Sequence, residues 1–129
     1  MAARRPVVAR PKNLNLLSIR LPVPAVVSIL HRASGFLLFL ALPVLLLAFQ
    51  ASLQSAEGFE QVLRALHHPL AKLAQWGLIV AFAHHFLAGL RHLAMDVHWG
   101  TPLAQARLSA KLVLALDVLA AVLAVCWLW

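Results

Sequence analysis

The chain has 129 residues, of which 63% are hydrophobic and only 12% charged, and its formal net charge is +7 at pH 7. A soluble domain of this length could not bury so much apolar surface, so the composition excludes an ordinary globular domain and indicates a membrane protein. The basic residues gather mainly in the first twenty positions and around residues 91–111, which is typical of membrane topology and argues against a nucleic-acid-binding protein.

Residues 1–25 are rich in basic residues and proline, and we predict that they form a cytoplasmic N-terminal segment. A signal peptide would place a short apolar core and a cleavage site after its positive charges. Here the proline-containing sequence continues to Pro24, and the apolar run that follows is long enough to span a bilayer. We therefore predict that the remaining residues, 26–129, form one transmembrane domain.

Three apolar segments follow, at about residues 26–50, 70–95 and 108–129. Each has the roughly 20 residues that a hydrocarbon core about 30 Å thick requires. Three short strands cannot close a barrel, so these segments must be helices. The sequence predicts an all-α integral membrane protein with three transmembrane helices, joined by polar connections at residues 52–68 and 96–107.

The distribution of positive charge predicts the orientation of these helices. The N-terminus and the second connection carry the basic residues, so both are expected in the cytoplasm, with the C-terminus on the other side. Asp117 stands in the middle of the third helix, where a carboxylate is expensive. We expect it to face a partner subunit or water.

An ionisable pair, His31 and Arg32, lies about one turn inside the first apolar helix. Such groups are costly at membrane depth and are retained where they face a partner, a cavity or a cofactor. Ser28, Arg32 and Gly35 are spaced i, i+4 and i+7, so they share one helix face, with His31 beside it.

The second helix carries a comparable stripe. His85, Gly89, His92 and Asp96 are spaced i, i+4, i+7 and i+11. A glycine one turn from a buried histidine leaves room for a flat, bulky group such as haem, and histidine is a common axial ligand. His84 lies on a second stripe about 100° away, and we predict that it hydrogen-bonds to a neighbouring helix.

Depth along the two antiparallel helices supports a haem site. His85 precedes His92 by seven residues, or roughly 10 Å at 1.5 Å per residue. This distance resembles the span from a haem iron to its propionates. With iron at His85, the anionic propionates would lie among cationic and imidazole side chains, namely those of His31, Arg32, Arg91 and His92. An alternative for Arg91 is that it only anchors the helix end at lipid headgroups.

These residues resemble the cytochrome b membrane anchors of bacterial succinate dehydrogenase, also called complex II. Two blocks carry the resemblance: Ser-Ile-x-His-Arg-x-Ser-Gly at residues 28–35 and His-x-x-x-Gly-x-Arg-His at residues 85–92. Shorter matches occur at residues 10–16, 19–22 and 57–61, so the resemblance covers nearly the whole chain.

The resemblance implies a heterotetramer in the bacterial inner membrane, with a flavoprotein, an iron–sulfur protein and a second membrane anchor as partners. FAD and the iron–sulfur clusters would belong to the partner subunits, so succinate would be oxidised elsewhere than on this chain. One haem b would lie between the two anchors, with His85 as the axial ligand from this chain.

By the same resemblance, Ser28 and Arg32 belong to the ubiquinone-reduction site, and His31, Arg32 and His92 contact the haem propionates. A different class of function remains open: the chain could be a haem-free structural anchor of a fumarate reductase-type complex, which would not need His85. A transporter is disfavoured, because three helices without internal repeats do not match transporter architecture.

Overall fold

The computed structural model describes residues 20–129, and this part of the chain is helical with no strand. Its elements are α1 (Val23–Gln54), α2 (Ala56–Leu66), α3 (Pro69–Asp96) and α4 (Leu103–Leu128). Helices α1, α3 and α4 are long and apolar enough to cross a membrane, which confirms the predicted all-α fold with three membrane helices. Most of the predicted cytoplasmic segment, including the motif at residues 10–16, lies outside the described residues.

Two of the three membrane helices are longer than the sequence predicts. Helix α1 extends beyond the predicted residues 26–50 at both ends, and α4 begins at Leu103 rather than near residue 108. An apolar run detects the part of a helix that lies in hydrocarbon, whereas the hydrogen-bonded backbone continues into the polar flanks. Pro24 fits the first turn of α1, where its missing N–H has no acceptor within the helix.

The connection at residues 52–68 contains α2, a helix that the sequence analysis did not predict. Ser55 caps it, because the Gly58 backbone N–H donates to the Ser55 hydroxyl oxygen at 3.0 Å. The helix is amphipathic, with apolar side chains on one face and polar side chains on the other: Phe59, Val62, Leu63 and Leu66 against Glu57, Glu60, Gln61 and Arg64.

The three long helices form a bundle in which α3 packs against both α1 and α4, and α1 also contacts α4. Its buried core consists of small and medium apolar side chains, which allow close helix approach: Val27, Ala88, Ala110 and Val113. Larger apolar side chains such as Phe39 and Leu123 are exposed on the outside, as expected where lipid is the solvent.

Contacts between neighbouring helices define the two ends of the bundle. At one end Arg91 of α3 bonds to Ala106 of α4, so the end of α3 lies beside the start of α4. At the other end the Lys72 ammonium donates to the Leu128 carbonyl at 2.7 Å. This bond satisfies one of the carbonyls that the last turn of α4 leaves without a partner in the helix.

Candidate functional site

Three of the predicted site residues meet where α1 crosses α3, and we call His31, His85 and His92 the histidine cluster. The His31 and His85 rings stack with centroids 4.3 Å apart and planes 8° from parallel. The His31 and His92 centroids are 5.2 Å apart. His31 and His92 lie together, as expected for groups at one membrane level, but the sequence analysis placed His85 roughly 10 Å deeper, and the stack of His31 on His85 was not predicted. The roles of these residues toward a cofactor stay predictions.

A backbone carbonyl fixes the orientation of the His85 ring. The Nδ1 atom of His85 is 3.0 Å from the His31 carbonyl oxygen, and the Ser34 hydroxyl donates to the same oxygen at 2.9 Å. Since a carbonyl oxygen only accepts, Nδ1 carries the proton in this bond, and in the neutral imidazole the lone pair is then on Nε2. The 3.5 Å separation between Ser34 Oγ and His85 Nδ1 then reflects two donors that share one acceptor.

Gly35 makes the approach of His85 to α1 possible. A Cβ atom at Gly35 would lie 2.7 Å from Cε1 and 3.0 Å from Nδ1 of His85, closer than real side chains approach. The gap predicted at Gly89 is a different one, reserved for a flat group such as haem, and it stays a prediction. A Cβ atom at Gly89 would meet the His31 ring at 3.4 Å, which is an ordinary contact. The tighter glycine contact therefore lies on α1 and not on α3.

Ser28 and Arg32 lie on the same flank of α1 as the histidine cluster. Val27 is fully buried and marks the inward direction of the helix. At about 100° per residue, Ser28, Arg32 and Gly35 project to one side of that direction, toward His85. Ser28 is half-buried and Arg32 is exposed. This flank thus presents a hydroxyl and a guanidinium beside the three imidazoles.

Arg91 lies apart from the histidine cluster. It is buried between α3 and α4, where Nε donates to the Ser109 hydroxyl at 3.0 Å and Nη2 donates to the Ala106 carbonyl at 3.2 Å. This placement contradicts the alternative that Arg91 reaches lipid headgroups. Its role at a propionate stays a prediction, and in this structure α4 engages two of its three nitrogens.

A second buried polar pair, which the sequence analysis missed, joins α3 to α4. His84 Nδ1 lies 2.6 Å from Asp117 Oδ2, and His84 Nε2 lies 3.3 Å from the Val27 carbonyl oxygen. The side chains are 8% and 13% exposed. The prediction that His84 bonds to a neighbouring helix is confirmed. Asp117 Oδ2 is bonded within the chain, and the expectation that Asp117 faces water or a partner subunit stays a prediction for Oδ1.

Loss of one member of this pair should destabilise the bundle more than loss of both. His84→Leu leaves a buried carboxylate without its partner, which costs about 3–5 kcal/mol, whereas apolar replacement of a whole buried pair is often neutral. We therefore expect the denaturation midpoint of the purified protein to fall in His84→Leu and to recover in His84→Leu/Asp117→Leu. A double variant no more stable than the single one would contradict this coupling.

Comparison with known proteins places the chain among membrane anchors. Residues 7–124 match the family described as the succinate dehydrogenase/fumarate reductase transmembrane subunit. The chain is 40% identical over 121 residues to the succinate dehydrogenase cytochrome b556 subunit of Coxiella burnetii, covering 93% of this chain and 97% of the relative.

Two further relatives carry corresponding names. The cytochrome b556 subunit of Paracoccus denitrificans is 32% identical over 114 residues, covering 88% of each chain. The mitochondrial cytochrome b560 subunit of Dictyostelium discoideum is 30% identical over 107 residues, covering 82% of this chain and 56% of the relative.

Proposed function

The chain belongs to the succinate dehydrogenase/fumarate reductase transmembrane-subunit family, and we propose that it is the cytochrome b anchor of a succinate:quinone oxidoreductase. In this proposal it holds haem b together with a second membrane anchor and forms part of the ubiquinone-reduction site. A flavoprotein and an iron–sulfur subunit complete the complex and carry FAD and the iron–sulfur clusters. Electrons from succinate then reach quinone at the anchors.

The orientation of His85 is the observation that carries this proposal. A haem ligand needs one imidazole nitrogen with a free lone pair and a hydrogen bond that fixes the other. His85 meets both needs, because Nδ1 is engaged by the His31 carbonyl and Nε2 keeps its lone pair. The donor set therefore fits haem, which when bound supplies a centre that accepts and returns single electrons.

The other members of the histidine cluster suit the edge of such a group. His31 stacks on His85 and lies beside His92, and both His31 and His92 can donate hydrogen bonds to carboxylates. Arg32 on the same flank adds a fixed positive charge. We therefore assign propionate contacts to His31, Arg32 and His92. Arg91 on α3 would act on the propionates only at longer range, through its positive charge.

Ser28 and Arg32 provide what quinone reduction needs. Negative charge develops on the quinone carbonyl oxygens as electrons arrive, and positioned donors or positive charge stabilise it. The Ser28 hydroxyl can donate to one carbonyl oxygen, and Arg32 places charge one helical turn away. We propose that this end of the bundle faces the cytoplasm, with the C-terminus in the periplasm, so that protons and electrons arrive from the same side.

The decisive experiment is a reduced-minus-oxidised spectrum of the purified complex, combined with identification of its copurifying subunits. We expect a low-spin haem b spectrum together with a flavoprotein, an iron–sulfur protein and a second anchor. Absence of a haem spectrum from an otherwise complete complex would favour the haem-free fumarate reductase-type anchor instead.

Gly35→Ala should lower the haem content of the complex. The added Cβ atom would overlap the His85 ring and displace the ligand, so we expect a loss of roughly tenfold, as for other changes that disturb the support of a metal ligand. Gly77→Ala is the matched control, because a Cβ atom there meets nothing within 4 Å. Equal haem content in the two purified variants would refute the packing role of Gly35.

A further inference from the structure

A cavity of about 550 Å³ lies between α1, α3 and α4. Its volume falls within the range of small-molecule sites, about 300–1,000 Å³. Its walls are almost wholly apolar, and its polar groups come mainly from the His84–Asp117 pair; the lining includes Leu37, Trp76, Val80, His84, Asp117 and Val118.

The polar end of the cavity offers an unsatisfied hydrogen-bond acceptor. Asp117 Oδ2 bonds to His84, but Asp117 Oδ1 is buried without a hydrogen-bond partner among residues 20–129. His84 can offer no further donor, because its second nitrogen faces the Val27 carbonyl. A buried acceptor in apolar surroundings is costly unless a donor meets it. The missing group is therefore a donor, which a hydroxyl supplies and a ketone does not.

The cavity lies away from the proposed quinone site and adjoins the proposed haem site at Ser34, which lines the cavity and donates to the carbonyl that holds His85. Leu30, Ala33 and Leu37 line it from one flank of α1. At about 100° per residue, Ser28 and Arg32 project from the opposite flank. A molecule in the cavity and the exposed Arg32 side chain would therefore lie on opposite sides of α1.

We propose that this cavity binds an apolar, membrane-dissolved molecule that carries a hydroxyl group, with the hydroxyl donating to Asp117 Oδ1. The apolar walls accommodate the body of the molecule, and the carboxylate selects its polar end. Two sources share this chemistry: a quinol and a hydroxyl-bearing lipid. Gly77 forms part of the wall and faces open space, so a larger side chain at this position would fill the site.

The test uses a photoreactive probe pair on the purified complex. A diazirine-bearing dodecanol and its methyl ether share one apolar body, but only the alcohol can donate a hydrogen bond. We expect the alcohol to label the cavity-lining peptides of α3 and α4 about fivefold more than the ether, the ratio expected for one net hydrogen bond. Equal labelling by the two probes would overturn the proposal.

Variants identify the site of labelling. In Asp117→Leu the preference for the alcohol should disappear, and in Gly77→Leu labelling by both probes should fall. Ala74→Leu, at an exposed position of α3 that does not line the cavity, is the matched control and should label as the wild type does. Undiminished labelling in Gly77→Leu would overturn the proposal. If that variant does not assemble, the comparison of alcohol and ether on the wild type decides.

Competition distinguishes the two sources. Reduced decyl-ubiquinone and dioleoylglycerol are added separately before photolysis, and the organic extracts of wild-type and Gly77→Leu complexes are compared by mass spectrometry. Protection by either compound supports the site and names its occupant. The haem spectrum is recorded on the same samples, so a failure of this proposal is distinguishable from a failure of the proposed function.

Discussion

Replacing His85 with alanine should abolish the low-spin haem spectrum of the assembled complex. The imidazole is held with Nδ1 on the His31 carbonyl, and its Nε2 is the nitrogen proposed to bind iron. Loss of an axial ligand removes both the bond to iron and the ring that Gly35 accommodates. We expect haem content to fall by at least about tenfold, measured by reduced-minus-oxidised spectroscopy and by pyridine haemochrome assay.

The neighbouring histidine provides the control. His84→Gln retains a side-chain amide that can bond to Asp117, and the His84 side chain points to α4 instead of the histidine cluster. Its haem spectrum should be that of the wild type. A normal spectrum in His85→Ala, or its loss in His84→Gln alone, would show that the haem ligand had been assigned to the wrong face of α3.

The sequence was sufficient to predict the three membrane helices because hydrocarbon thickness imposes a minimum apolar length. It did not predict α2, because an amphipathic helix of this length has half its surface polar and resembles a polar loop in overall composition. The early start of α4 was missed for a similar reason, since Gln105 and Arg107 interrupt the apolar pattern but not the backbone hydrogen bonds.

The proximity of His31 and His92 was predictable because membrane depth restricts which groups can meet, but the stacking of His31 on His85 was not. Spacing alone could not identify Gly35 as the glycine under His85, since this depends on how α1 and α3 are rotated against each other. The pairing of His84 with Asp117 depends on the same rotation. The sequence does contain a signal for this pair, because His84 and Asp117 lie at a similar depth on adjacent antiparallel helices.

Ubiquinone reduction should depend on Ser28 and Arg32 while succinate oxidation continues. The two residues lie one turn apart on the flank of α1 that faces the histidine cluster, so a hydroxyl and a guanidinium can flank one quinone headgroup. Removing the charge in Arg32→Leu should slow ubiquinone reduction by about a hundredfold, as does loss of a group that stabilises developing negative charge. Ser28→Ala removes one neutral hydrogen bond and should cost about tenfold.

A paired assay isolates this effect. Succinate with an artificial acceptor that takes electrons before the quinone site should give normal rates in both variants, whereas succinate with ubiquinone should not. Arg32→Lys keeps the charge but loses the planar, forked donor arrangement, so its rate should lie between those of the wild type and Arg32→Leu. Haem content is measured on each sample, because Arg32 is also assigned to a propionate. If assembled complexes of both Ser28→Ala and Arg32→Leu reduced ubiquinone at the normal rate, the quinone site would not lie on this flank of α1. Arg32 would then be assigned only to a haem propionate.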